Sequence, residues 1–392
     1  VIVLDSALPQ QQPKFGMLRG YSFASYMTMA VIVSYFPLYF KSLGYSTIQI
    51  GLLYSVGPMI GIISNIFWGL MSDKYRTVKN ILIVVLLGQW IFAFFVFQST
   101  SFVLLLLLMA AFFFFQSPNN SLTDSLTLLS IQGTNKSYAS FRVWGSIGFA
   151  IASLSFGMIL KQYGAGLTVY LCLGTIAFSF IVSTQLTDGR RSSTKKLEFS
   201  GLVQVVRSKR FLAFMFIVLV SSVSHRFNDG FLALFLNQLG ADQSIVGLSW
   251  LVSALSEVPI FFLLSKYGHR YKELPLLMIS CFVYVIRFTL MSQVENPLWV
   301  IAIQAMHSIS FGIFLFTVIR YIARIIPDQY RATGQAILAV TWSGIAGLLS
   351  GTLGGWLFRD FGPHTMYGVG ALLSASALLG FLLLHLFAKE SE

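Results

Sequence analysis

Long apolar runs separated by short polar gaps set the pattern of this chain, from Phe15 almost to its end. A helix rises 1.5 Å per residue, so about 20 apolar residues are needed to cross the hydrocarbon layer of a bilayer. A window of that length predicts twelve spans, at 15–43, 47–71, 77–98, 101–131, 138–162, 166–186, 210–238, 244–267, 273–294, 297–325, 332–357 and 364–387. Membrane strands would alternate over segments of about ten residues, whereas Leu104 to Leu108 and Ala110 to Phe115 are unbroken. The expected class is an all-α integral membrane protein.

Composition agrees with the pattern. Of 392 residues, 56% are apolar and 10% charged, with 37 Phe, and the mean hydropathy is +0.76. A soluble enzyme does not have that balance. The net charge of +12 raises the question of nucleic acid, but Lys and Arg fall in the gaps between apolar runs and form no basic stripe with interleaved aromatics. No nucleic-acid partner is expected. Cys172 and Cys281 both lie inside apolar runs, with no metal-like spacing to His, so no metal site or cofactor is expected. The first dozen residues lack the pattern of a cleaved signal peptide.

Basic residues set the orientation, because cytoplasmic loops carry the excess of Lys and Arg. With the N-terminus inside, nineteen basic residues fall on the cytoplasmic side and three, Lys41, Lys161 and Arg359, on the other. Both termini are therefore expected in the cytoplasm, with the chain in the plasma (inner) membrane. The polar stretch after the sixth span divides the chain into 1–187, a cytoplasmic linker at 188–209, and 210–392. The halves repeat. Leu43-Gly44 with Gly51 matches Leu239-Gly240 with Gly247 at an offset of 196, and Trp68-Gly69 through Tyr75-Arg76 overlies Leu264-Ser265 through Tyr271-Lys272.

Two parallel six-helix repeats joined by a cytoplasmic loop, with Gly69-Leu70-Met71-Ser72-Asp73-Lys74 and Lys79 after the second span, resemble the major facilitator superfamily. The resemblance implies two pseudo-symmetric six-helix bundles, a solute site near mid-membrane between them, and alternating access. It also gives Asp73 a gating place, facing the N-terminus of a neighbouring helix.

An ionisable side chain at the bilayer centre costs roughly 3 kcal/mol on insertion scales. This chain places seven within its spans, Asp124, Arg142, Arg226, Asp229, Glu257, Arg287 and Arg320, together with His307. They must be paired or hydrated. Arg226, Asp229, Glu257, Arg287 and His307 all approach the middle layer, so they are expected to converge on one site. Arg226 can also pair with Asp229, one turn on.

A narrower resemblance covers essentially all twelve spans. Ser117-Pro118 with Leu122-Thr123-Asp124, Arg142-Val143-Trp144-Gly145-Ser146, Glu257, Arg287, Gln304 with His307, and Arg320-Tyr321-Ile322 resemble the lactose permease and phenylpropionate permease branch, most closely the phenylpropionate type. Eighteen residues separate Asp124 from Arg142, the separation of the sugar-binding carboxylate and arginine of lactose permease, and Phe149 stands where its sugar-stacking Trp would be. Ser310, Gln304 and Ile260 occupy positions where that permease has a carboxylate, a lysine and a sugar-holding residue. Lactose is therefore not the expected solute, and the proton needs a different carrier.

The resulting expectation is a proton-coupled symporter of a small organic solute, acting as a monomer among membrane lipid, with no catalytic residues. Glu257 heads the proton-coupling set, followed by His307 and Asp229 with Arg287. The substrate set is Asp124, Arg142, Phe149, Gln304, Asn228 and Arg226. Asp124 and Arg320, equivalent in the two repeats at the offset of 196, are expected to pair as a cytoplasmic gate. Four Arg against three carboxylates within the spans suit an anionic solute such as an aromatic acid, while Asp124, Arg142 and Phe149 together suit a sugar or nucleoside. A drug or metabolite antiporter and a non-transporting receptor are the alternatives. Against the former, Gly145-Ser146-Ile147-Gly148 lacks the Gly-Pro pair of such exporters. The spacing of Gly344, Gly347, Gly351 and Gly355 predicts close helix packing.

Overall fold

The structure is a computed structural model that describes residues 14–99, 101–132, 134–136, 138–188, 209–326 and 331–389, so the expected linker lies almost wholly outside the described residues. Among the described residues all regular structure is helical. Helix α1 runs through Phe15–Ser34 and, after a 42° bend, Phe36–Ser42. It is followed by α2 (Thr47–Lys74), α3 (Lys79–Gln98), α4 (Phe102–Ile131), α5 (Ala139–Tyr163) and α6 (Thr168–Thr184). The second half begins with α7 (Lys209–Gln238), α8 (Gln243–Tyr267), α9 (Glu273–Met291) and α10 (Pro297–Ile325). The last helical stretch is non-helical at Gly362 (φ 85°, ψ 165°), which separates α11 (331–361) from α12 (363–389). Glycine tolerates that positive φ, and Pro363 opens the next helix. The chain reverses there, since the Phe227 ring lies beside both Gly354 and Gly370. Among the described residues twelve membrane-length helices result, counting the bent α1 once and dividing the last stretch at Gly362.

Prolines explain the bends. Pro37 has no N–H to continue the ladder, and α1 breaks just before it. Pro118 leaves the Phe114 carbonyl without its helical donor, and α2 supplies two replacements, the Ser64 hydroxyl and Trp68 Nε1 at 3.1 Å. A freed carbonyl in lipid has to be satisfied by a neighbour, so this pair ties α4 to α2. One expectation needs correction: Gly69 to Lys74, placed after the second span, belongs to the end of α2, which continues to Lys74, beyond the expected bound at 71. The turn follows it, with Arg76 at φ 51°.

Helix α1 packs on α5 and α6, and α3 on α4 and α6, while α7 packs on α11 and α12 and α9 on α10 and α12. Large apolar side chains such as Leu107, Ile91, Phe216 and Phe262 remain exposed, the arrangement expected where the surrounding solvent is lipid. Two seams join the halves, α2 against α11 and α5 against α8. Both close at the end that the charge pattern assigns to the outside. A Cβ on Gly51 would strike the Gly351 backbone, and one on Gly247 would strike the Ser153 carbonyl. Polar links span the same end: Lys41 Nζ donates to Asn237 Oδ1 at 2.9 Å, and Lys161 Nζ lies 2.8 Å from Asp242 Oδ2. Lys41 and Asn237, like Gly51 and Gly247, are equivalent positions of the 196-residue repeat.

Candidate functional site

Helices α8, α9 and α10 bring Glu257, His307 and Arg287 into one connected chain. Glu257 on α8 accepts from His307 on α10, Oε1 to Nε2 at 2.9 Å. Arg287 on α9 reaches the other ring nitrogen, Nη1 to Nδ1 at 3.1 Å, and also Ser310 Oγ at 3.3 Å. Its Nη2 donates to Gln304 Oε1. A guanidinium has donors only, so His307 Nδ1 must be the acceptor and Nε2 carries the proton given to Glu257. The imidazole is therefore neutral, and it separates a carboxylate from a guanidinium. Arg287 is fully buried, at 0% exposure, a placement that demands the compensation it has.

A second layer surrounds this chain. Gln304 Nε2 donates to Asn228 Oδ1 at 3.2 Å, Ser253 Oγ to Gln304 Oε1 at 3.2 Å, and Tyr367 Oη to Asn228 Oδ1 at 3.4 Å. On α7, Asp229 Oδ2 lies 3.4 Å from His225 Nε2 and 3.7 Å from Arg226 Nη1. Tyr284 Oη is 3.0 Å from His225 Nδ1. With the His225 ring proton directed at Asp229, Tyr284 donates, which repeats the neutral-imidazole pattern of His307. The two imidazoles are 5.5 Å apart, and Phe311 stacks on both. Widened π-helical turns at Ser308–Gly312 and Val340–Ile345 place Phe311 and Trp342 in this cluster. Such turns are frequent at functional sites.

The first half presents a smaller polar group. Tyr138 Oη donates to Asp124 Oδ1 at 2.7 Å, and the Arg142 guanidinium lies over the Tyr26 ring at 4.4 Å. Arg142 Nη1 is buried without a hydrogen-bond partner among the described residues. Arg142 is within electrostatic range of Asp124 on its own half and of Glu257 on the other. Phe149 meets Trp250 across the α5–α8 seam, edge to face with centroids 6.0 Å apart.

Several expected residues are placed differently from the sequence reading. Asp124 and Arg320 do not pair. Arg320 Nε binds Glu273 Oε1 at 2.9 Å, and its other nitrogens donate to the carbonyls of Gly268 and Tyr271. Glu273 opens α9 beside the guanidinium and takes it locally, while Asp124 is held by Tyr138. Asn228 and Gln304, expected on the substrate wall, are both 0% exposed: Gln304 accepts from Arg287 and donates to Asn228, while Asn228 Nδ2 has no hydrogen-bond partner among the described residues. Asp124 and Arg142 share a neighbourhood but no direct ion pair. Arg226 takes the one-turn pair with Asp229 and donates to Ser343 Oγ at 3.3 Å. Asp73 lies exposed in the last turn of α2. His225 and Tyr26 were not singled out by the sequence reading. The signal for His225 was available, four residues before Asp229 on the same helix face. Nothing in the spacing pointed to Tyr26, which meets Arg142 from another helix.

This architecture, twelve helices in two repeats with ionic groups buried between them, defines a multi-pass membrane transporter. A family model described as the MFS_1 like family matches residues 15–369, and the chain belongs to that family of major facilitator permeases. It is 27% identical over 387 residues to the uncharacterized transporter YwbF of Bacillus subtilis, covering 98% of this chain and 96% of the relative. The maltose permease of Geobacillus stearothermophilus is 23% identical, with 88% and 86% covered. The probable 3-phenylpropionic acid transporter of Escherichia coli is 25% identical, with 92% and 94% covered. Among solved structures, the nucleoside transporter NupG (D323A mutant) superposes with a TM-score of 0.86 at 17% identity, covering 94% of this chain and 99% of that one. The family and these relatives are transporters, not enzymes.

Proposed function

We propose that the chain is a proton-coupled symporter of a small organic solute, working by alternating access in the plasma membrane with both termini cytoplasmic. The observation that carries this reading is the Glu257–His307–Arg287 chain. A second proton on His307 would sit on Nδ1 and face the Arg287 guanidinium, so imidazolium is opposed by like charge. Glu257 is the member that can accept a proton without breaking the chain, since one oxygen still accepts from His307 while the other takes the hydrogen. Protonation removes the carboxylate charge opposite Arg142. Solute and proton would then be linked through the strip between Arg142 and Glu257, and the halves would move when both are neutralised. The outer seams are shut in this structure, so the state described faces the cytoplasm on this reading. Asp124 and Arg320 would exchange their present partners for each other only when the inner end closes.

Relatives that carry maltose, 3-phenylpropionic acid and nucleosides leave the solute class open among sugars, aromatic acids and nucleosides. A thermal-shift screen of purified protein with these three classes identifies the ligand. Reconstituted vesicles then test coupling with the ligand found: Glu257→Gln should keep solute counterflow and lose uphill accumulation driven by a proton gradient. Full gradient-driven accumulation in that variant would remove Glu257 from its role.

A further inference from the structure

A basic cavity of about 520 Å³ lies at the end of the second half where α7 begins, α8 turns into α9, and α10 and α12 finish. Arg210, Arg270, Lys272, Arg324 and His385 line it, and Glu273 is its one lining carboxylate among the described residues. That carboxylate is already neutralised, by Arg320 Nε at 2.9 Å and Arg324 Nη1 at 2.8 Å. Arg210, Arg270 and Lys272 face the same space without a carboxylate of their own among the described residues. Like charges gathered in one cavity repel, and an anion placed among them relieves the repulsion.

The cavity is a built feature. Arg320 ties down the turn by donating to the Gly268 and Tyr271 carbonyls, which bracket Arg270 and precede Lys272. Arg210 is held by its Nε donating to Tyr321 Oη at 3.3 Å. The wall also includes the apolar Leu276 and Ile279. Ile279 is 51% exposed, and Phe282, three residues on along α9, and Leu212 and Phe216, which follow Arg210 along α7, are exposed as well. The charged end of the site is therefore continuous with a surface that faces acyl chains.

We propose that this cavity binds the phosphate headgroup of an anionic phospholipid, with the acyl chains lying along the exposed rows of α7 and α9. Guanidinium forks match phosphate oxygens in geometry and charge, and basic pockets between membrane helices suit such headgroups. Free inorganic phosphate shares the headgroup chemistry but gains nothing from the apolar rows.

The test uses the full chain, purified in detergent and delipidated, with native mass spectrometry and thermal shift as readouts. Phosphatidylglycerol should bind and raise the melting temperature, while phosphatidylcholine and inorganic phosphate should do neither at equal concentration. Arg270→Gln with Lys272→Gln, both on exposed positions of the turn, should weaken phosphatidylglycerol about 25-fold, roughly fivefold for each charge removed. Lys74→Gln with Lys79→Gln in the first half should leave binding unchanged. Equal binding of the two lipids, or full binding by the Arg270 and Lys272 double variant, would overturn the site. Binding of inorganic phosphate as tight as that of the lipid would overturn the lipid as its occupant.

Discussion

Substituting Gly247 with Ala tests whether the outer seams hold the halves together. The added Cβ would collide with the Ser153 carbonyl, and would lie 2.6 Å from Tyr35 Oη and 2.9 Å from the Ser153 carbonyl carbon. Two of these obstacles are backbone atoms of α5, and Tyr35 is itself buried and bonded to the Ser153 carbonyl. No side chain can swing away, so α5 and α8 must separate. Overpacking of this kind costs about 1–3 kcal/mol, equivalent to about a 5- to 140-fold fall in the ratio of outer-closed to outer-open molecules. Gly230→Ala is the control, because a Cβ there meets nothing within 4 Å and brings the same gain in helix propensity. The reporter is Phe149→Cys, beneath the α5–α8 seam, labelled from outside with a membrane-impermeant maleimide. The native thiols Cys172 and Cys281 are both buried, which keeps the background low. Labelling should accelerate about fivefold or more in Gly247→Ala and stay constant in Gly230→Ala. Gly51→Ala provides a second reading at the other seam. Unchanged labelling in both seam variants, with both proteins folded, would refute the claim that glycine contact sets the outer closure.

Three further outcomes are expected. Arg287→Met should destabilise the protein by about 3–5 kcal/mol by leaving Glu257 without its compensating charge, and adding Glu257→Gln should recover part of the loss; thermal melts of the three variants decide it, and strict additivity would show that the two charges are uncoupled. Ser64→Ala should cost about 1 kcal/mol in the native chain and less in a Pro118→Ala background, where an N–H again serves the Phe114 carbonyl; equal costs in a melting series would exclude the exchange of donors. The Lys161–Asp242 link should be sensitive to acid. Burial alone would raise the Asp242 carboxyl, but Lys161, Ser244 and the Ile245 N–H outweigh it and hold the group at about 2, below its ordinary 3.8. A depressed carboxyl contributes fully above the ordinary value and loses its contribution as pH falls through the depressed one. Spin-label distances between α5 and α8 should therefore widen between about pH 4 and pH 2, and Asp242→Asn should remove that dependence.

The helical architecture was readable because lipid imposes a length and a polarity on every span, and both are local properties of the sequence. The repeat showed as Gly44 and Gly240 at a fixed offset. What the sequence did not report was which partner a side chain takes from another helix. Arg320 chose Glu273 over Asp124 because the start of α9 stands beside it, and no spacing along the chain reports that. Gln304 has the chemistry of a solute ligand, yet its carbonyl oxygen accepts from Arg287. Glu257, Arg287 and His307 were grouped by depth alone. Depth could place them at one level but could not put the imidazole in the middle, and that order decides where a proton can sit.

The equivalence of Gly51 and Gly247 has a consequence for mutational redundancy. The same position of each repeat guards one side of the same aperture. If each half moves as a unit, a wedge inserted on either side props open the whole mouth, and a second wedge has little left to do. Alanine at both positions should then produce an effect well short of the product of the two single changes, so duplication has left the molecule with two fasteners that fail together.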